Sequence, residues 1–180
     1  MTRLTNYLAR INDAIAVCAG LLLLTAVGVT LVDVMLRALR IPSLGGTDEL
    51  SGYAMAVATA WGVSYALSEQ AHVRIDLLRK RLVAPGRAML DLLAMGALAA
   101  VAVMIAWRGW GVLSGTLSTN AQANTALATP LWIPQSMWWI GWGWFAVTAC
   151  LLLVVGAVHL AFGNLTEAED LIGAKGETEL

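Results

Sequence analysis

Residues 14–32 read AIAVCAGLLLLTAVGVTLV, a stretch without a formal charge between Asp13 and Asp33. A helix rises 1.5 Å per residue, so about 20 such residues cross a hydrocarbon core of about 30 Å. The run has that length, which makes lipid rather than water the solvent that decides the fold. Three further runs follow. Residues 50–68 lie between Glu49 and Glu69, residues 89–112 carry Asp91 near one end and Arg108 near the other, and residues 138–162 hold no Asp, Glu, Lys or Arg. The expected fold is therefore an all-α membrane protein with four transmembrane helices, at about 14–36, 50–68, 89–112 and 138–162. These form one domain over residues 1–163, followed by an acidic tail at 164–180 that reads as solvated and partly disordered.

Composition agrees. Of 180 residues, 59% are hydrophobic and 13% charged, and the mean hydropathy of +0.73 exceeds what one soluble core could hide. Eleven basic and twelve acidic residues give a net charge of −1, which offers no basic excess for a nucleic-acid backbone. Cys18 and Cys150 both lie in apolar runs, where a thiol behaves as a small hydrophobe, so neither a disulfide framework nor a metal cluster follows. The first run is too long for the core of a signal peptide and lacks a small-x-small cleavage site, so a retained membrane helix is expected.

Short basic loops stay in the cytoplasm. Arg3, Arg10, Arg74, Arg79, Lys80, Arg81, Arg87 and Lys175 fall on one side of the four runs, and Arg37 and Arg40 on the other. Both termini should face the cytoplasm, as in a multi-pass membrane protein. Tryptophan favours the membrane interface, and Trp107, Trp110, Trp132, Trp138 and Trp139, with Trp142 and Trp144, cluster where the third run, the third loop and the fourth run meet. With Arg108 beside them, they read as anchors at the outer interface.

Small residues recur every fourth position in the second run, at Gly52, Ala56, Ala60, Ser64 and Ser68, and again at Ala54, Ala58, Gly62 and Ala66. Such rows let helix backbones approach closely in lipid. Gly96 with Ala100, and Gly141 with Phe145 and Ala149, suggest weaker seams. Asp33 and Arg37, like Arg87 and Asp91, stand four apart and share a helix face as terminal ion pairs. Thr47, Asp48 and Glu49 suit the start of a helix, where free N–H groups and the dipole favour oxygen and negative charge. Residues 72–82 place Ile75, Leu78 and Leu82 on one helical face, the pattern of a short interfacial amphipathic helix between spans two and three. His72 and His159 are the only histidines and have no Cys or carboxylate cluster beside them, so no cofactor and no metal is expected. No sequence pattern for a hydrolase, nucleotide or metalloprotease site occurs, and an enzyme is not expected.

Arg37 closing span one, Asp48-Glu49-Leu50 opening span two, Trp61-Gly62 through Tyr65 within it, His72-Val73-Arg74-Ile75-Asp76 after it, and Pro130-Leu131-Trp132-Ile133-Pro134 before span four together resemble a known family. That family is the small membrane subunit, DctQ type, of tripartite ATP-independent periplasmic (TRAP) transporters. The resemblance implies two protein partners: a large DctM-type permease subunit holding substrate and sodium sites, and a periplasmic DctP-type binding protein that captures an organic acid. It further implies that the large subunit moves by an elevator motion against a fixed small subunit. Arg37, Asp48, Glu49, Trp61, His72, Arg74 and Asp76 become candidates for helix ends or subunit contacts. Two competing classes are a stand-alone small oligomeric transporter titrating at Asp33 and a haem-bearing membrane anchor subunit. Alanine at Glu49 or Arg74 is expected to reduce assembly or uptake without altering which acid is carried; a changed substrate preference in an uptake assay would contradict this assignment.

Overall fold

The computed structural model describes residues 2–70, 82–125, 127–164 and 171–172, with backbone only at 2–4. Four helices account for most of it: α1 (Thr2–Ala38), α2 (Thr47–Ser68), α3 (Ala84–Thr119) and α4 (Trp132–Ala161). Three of them, α1, α3 and α4, are long and apolar enough to cross a membrane. Helix α2 is shorter, at 22 residues, and its Ser, Gly, Tyr and Thr content dilutes its hydropathy. Helices α1 and α3 run beyond their apolar stretches at both ends, and α2 and α4 at their N-terminal ends. Pro134 lies in the first turn of α4 and Pro85 in that of α3, where the missing N–H has no intrahelical partner to lose.

Left-handed residues end the helices. After α1, Arg40 takes φ 58°, and Ile41 N–H donates to the Leu36 carbonyl at 3.0 Å. After α4, Gly163 takes φ 77°, and Asn164 N–H donates to the His159 carbonyl at 3.0 Å. Both are the six-to-one bond of a Schellman end, which satisfies a carbonyl the helix leaves free. The turn into α2 uses Gly45 and Gly46, both at positive φ; a Cβ at Gly46 would also collide with the Leu127 side chain. The connection between α3 and α4 is a small hairpin, with Ala123 N–H on the Thr129 carbonyl at 2.9 Å and Leu131 N–H on the Ala121 carbonyl at 3.1 Å.

The principal packing runs α1 on α2, α2 on α4 and α4 on α3, an open row rather than a closed bundle. Leu67 of α2, Met95, Ala99 and Ala102 of α3, and Phe145, Ala149 and Leu152 of α4 form the core. Helix α1 stands at the edge of the row. Among its described side chains only Leu8, Asn12 and Asp33 are buried, and none of its most apolar stretch is.

The close approaches differ from the expected seams. Gly52 and Gly62 face open space, and Ala56 is exposed, whereas Ala54, Ala58, Ala60 and Ser64 are buried. Helix α2 is gripped by neighbours on two sides, so its buried positions come from both small-residue rows. On α3 the buried stripe is Met95, Ala99 and Ala102, one residue away from Gly96 and Ala100. The seam at Gly141, Phe145 and Ala149 is buried throughout.

The tail also departs from expectation where it is described. Ile172 is 2% exposed and lies against Gly156, where a Cβ would come within 2.8 Å of it. An apolar pair, Leu171 and Ile172, seats this part of an otherwise acidic segment on the core. The expected amphipathic helix, with His72, Arg74 and Asp76, lies outside the described residues.

Gly141 is the tightest seat between α2 and α4: an added Cβ would stand 2.7 Å from Trp61 Cδ1 and 3.0 Å from Ala60 Cβ. Gly141→Ala should lower the melting temperature of the purified protein in detergent. Gly52→Ala, which meets nothing, should leave it unchanged or raise it, because alanine favours helix by about 0.5–1 kcal/mol. Equal melting of the two variants would contradict the packing described.

Candidate functional site

A side chain that leaves water for lipid must bring its hydrogen bonds with it, since an unsatisfied polar group costs several kcal/mol in hydrocarbon. Several polar groups of this chain meet that demand by joining helix to helix, at two levels; among the described residues Gln135 Oε1 and Trp142 Nε1 are buried without a partner.

At one end of α1, Asn12 is 0% exposed. Its Nδ2 donates to the Ser64 carbonyl at 3.3 Å and to the Ser68 hydroxyl, while its Oδ1 accepts from Trp144 Nε1 at 2.8 Å. One amide thus ties α1 to both α2 and α4. At the other end Asp33 is 2% exposed. Its carboxylate accepts from Leu44 N–H at 2.7 Å and Thr47 Oγ at 3.0 Å, and it pairs with Arg37 one turn on. Arg37 therefore does more than close the helix: it neutralises the carboxylate that holds the first loop and the start of α2. Asn12 and Asp33 stand 21 residues apart, or about 32 Å of helix, close to the thickness of a hydrocarbon core of about 30 Å. Between them, the hydroxyls of Thr25 and Thr30 donate to carbonyls of the preceding turn, at 2.8 and 2.9 Å. They ask nothing of a neighbour.

Next to the Asp33 clamp, Glu49 ties the third loop to α2. It accepts from Thr125 Oγ and, at 2.7 Å, from Tyr53 OH. Glu49 lies just outside the apolar run 50–68, and these donors, Thr125 first, hold its carboxylate below the ordinary value of 4.5. A lowered value means that the tie is present above that ordinary pH and is lost as pH falls through the lowered one. Asp48 is exposed beside it. Loops one and three thereby meet in one surface, through Glu49 with Thr125 and Gly46 with Leu127.

The tryptophans divide into two groups. Trp61 Nε1 donates to the Met137 carbonyl at 3.0 Å, and Trp139 Nε1 to the Ala106 carbonyl at 2.8 Å, each beside a glycine on the facing helix, Gly141 and Gly109. Trp138 packs on Gly109 and meets Trp142 edge-on, and Trp142 meets Phe145 in the same way. These rings hold α4 to its two neighbours. Trp107, Trp110 and Trp132 are exposed, and Arg108 lies 5.4 Å from the Trp107 ring centroid. Asp91 is buried on α3.

Of the sequence candidates, the structure brings Arg37 into the Asp33 clamp, Glu49 into the loop tie and Trp61 into the α2–α4 contact. His72, Arg74 and Asp76 lie outside the described residues. The sequence reading missed Asn12, Ser64 and Trp144 as partners. The one available signal was an uncharged amide two residues before an apolar run, with a serine pair one turn apart at the opposite end of the next.

Long apolar helices, fastened to one another by a few of their polar side chains, fit a multi-pass membrane component. The model of the DctQ component of the tripartite ATP-independent periplasmic transporters matches residues 26–162, and the chain belongs to that family. It is the small subunit of such a transporter, a transport component whose family works beside a permease and a periplasmic protein. No curated protein and no solved structure matches it.

Asn12→Leu and Asp33→Leu should each loosen α1 by about 1–3 kcal/mol, the cost of orphaning buried donors and acceptors. The two effects should add, because clamps so far apart share no partner. Thermal unfolding in detergent reads this out, and a melting temperature unchanged by either substitution would refute the clamp.

Proposed function

We propose that this chain is the fixed scaffold of a sodium-coupled importer of an organic acid, in which a large elevator-type permease moves the substrate delivered by a periplasmic binding protein. The observation that carries this reading is the open row of helices. An edge helix pinned at both ends, with its long apolar middle uncovered, is a surface suited to a second membrane protein. A carrier would need polar groups at mid-depth; here the buried polar groups that bridge α1 to its neighbours lie at its two ends.

In this reading α2 crosses the membrane as a fourth span despite its modest hydropathy, since its ends meet α1 at both clamps. Both termini face the cytoplasm, in keeping with the basic residues, and the complex belongs to the bacterial inner membrane. The knitted surface of loops one and three then faces outward, toward the binding protein, with Asp48, Glu49 and Arg37 at its centre. Trp107, Arg108, Trp110 and Trp132 anchor the outer interface, while Trp138 and Trp139 fasten the row. His72, Arg74 and Asp76 follow α2 on the cytoplasmic side and are contacts for the large subunit.

Co-expression with the adjacent large-subunit gene tests the scaffold directly. The two chains should elute together from a detergent column, and this chain running alone would end the proposal.

A further inference from the structure

Between α1 and α2, on the Asn12 side of the molecule, lies a cavity of about 670 Å³. That size falls among sites that hold lipid- or drug-sized ligands, about 300–1,000 Å³. Its wall is graded. Tyr7 and Arg10 stand at the mouth, and beyond them the lining is apolar, through Ile15 and Leu22 on α1 and Val57 and Trp61 on α2. From Arg10 to Leu22 is about 18 Å of helix, close to the depth of one leaflet of a hydrocarbon core of about 30 Å.

We infer that this groove is a binding site for one anionic phospholipid, with its phosphate at Arg10 and Tyr7 and an acyl chain running toward Trp61. Three features argue for lipid. Arg10 lines the groove and stands four residues before the apolar run 14–32, where the proposed orientation puts the headgroups. Arg10 is exposed, and among the described residues no ion pair engages it. The lining on α1 ends at Leu22, about 18 Å of helix from Arg10, a length that fits a single leaflet and not a helix that crosses both. Tyr7, 71% exposed, carries an aromatic ring and a hydroxyl to the same interface. The bound lipid would fill the gap that the two clamps leave between α1 and α2, so α1 keeps its position without side-chain interdigitation along its middle. The inference goes beyond the scaffold reading and depends on it only for which leaflet supplies the lipid, the cytoplasmic one.

The test uses the full chain, alone and with the large subunit, in nanodiscs of phosphatidylglycerol and phosphatidylcholine, with retained phospholipid counted by native mass spectrometry after release. The wild-type chain should keep one phospholipid more than Ala14→Trp or Val57→Trp, which fill the groove. Leu93→Trp, on an exposed face of α3, should match the wild type. Arg10→Gln, which leaves the apolar seat whole, should reduce the preference for phosphatidylglycerol about fivefold, the worth of one basic residue at an anionic headgroup. Equal lipid counts in wild-type and groove-filled chains would overturn the inference. So would unchanged lipid with loss of the large subunit, which would assign the groove to a partner helix. An Arg10→Gln chain with undiminished preference would overturn it as well, even if the tryptophan variants fail to fold. Failure of the wild-type chain to bind the large subunit would count against the scaffold and leave the lipid count on the chain alone as a separate result.

Discussion

A hydrocarbon interior offers no hydrogen bonds, and the arrangement of this chain follows from that constraint. Backbone groups are satisfied by helix formation, so the remaining freedom lies in where side-chain polar groups go. The two that hold α1, the Asn12 amide and the Asp33 carboxylate, are each fully partnered, and they flank the charge-free run 14–32. Helix α1 is thereby fixed like a bar held at its two ends. Its middle is left free to face lipid or another chain.

The rest of the row is held differently. Helix α4 meets α2 and α3 through glycine seats that admit indole rings, and two of these rings, Trp61 and Trp139, donate a hydrogen bond to a carbonyl of the facing helix. Polar contacts of this kind between membrane helices average well under 1 kcal/mol, so close packing at Gly109 and Gly141 supplies the other part of the association. Because α2, α3 and α4 share the core while α1 stands at its edge, one part of the subunit is rigid by packing and another by its terminal clamps. In the proposed function, that division suits a support that does not move while a partner does.

Much of this was legible in the chain. Charge-free runs located the helices, since length and apolarity are what lipid demands of a span, and Arg37, Glu49 and Trp61 were singled out from their places at helix ends and in the family pattern. Pairings between distant residues were not legible. Asn12 meets Ser64 and Trp144 only because three helices converge, and no local spacing encodes that. Small residues at Gly52 and Gly62 looked like a seam but face open space, because a small-residue row shows that an approach is possible and not which side is taken. Interface tryptophans looked alike in sequence; only the glycine opposite each ring separates Trp139, a fastener, from Trp107, which is exposed. The burial of Ile172 was hidden by the acidic residues around it, whose charge argued for solvent while one apolar pair argued for the core.

The central claim is that α1 and α2 form a fixed unit, held at the Asp33 end by contact with Thr47. Replacing that contact by a disulfide, with Asp33→Cys and Thr47→Cys in a chain whose Cys18 and Cys150 are alanine, locks the unit covalently. Uptake by the reconstituted complex should be as fast in the oxidised state as in the unaltered transporter, because nothing that moves has been tied. Loss of uptake on oxidation, with recovery on reduction, would show that these helices shift during transport and would contradict the account.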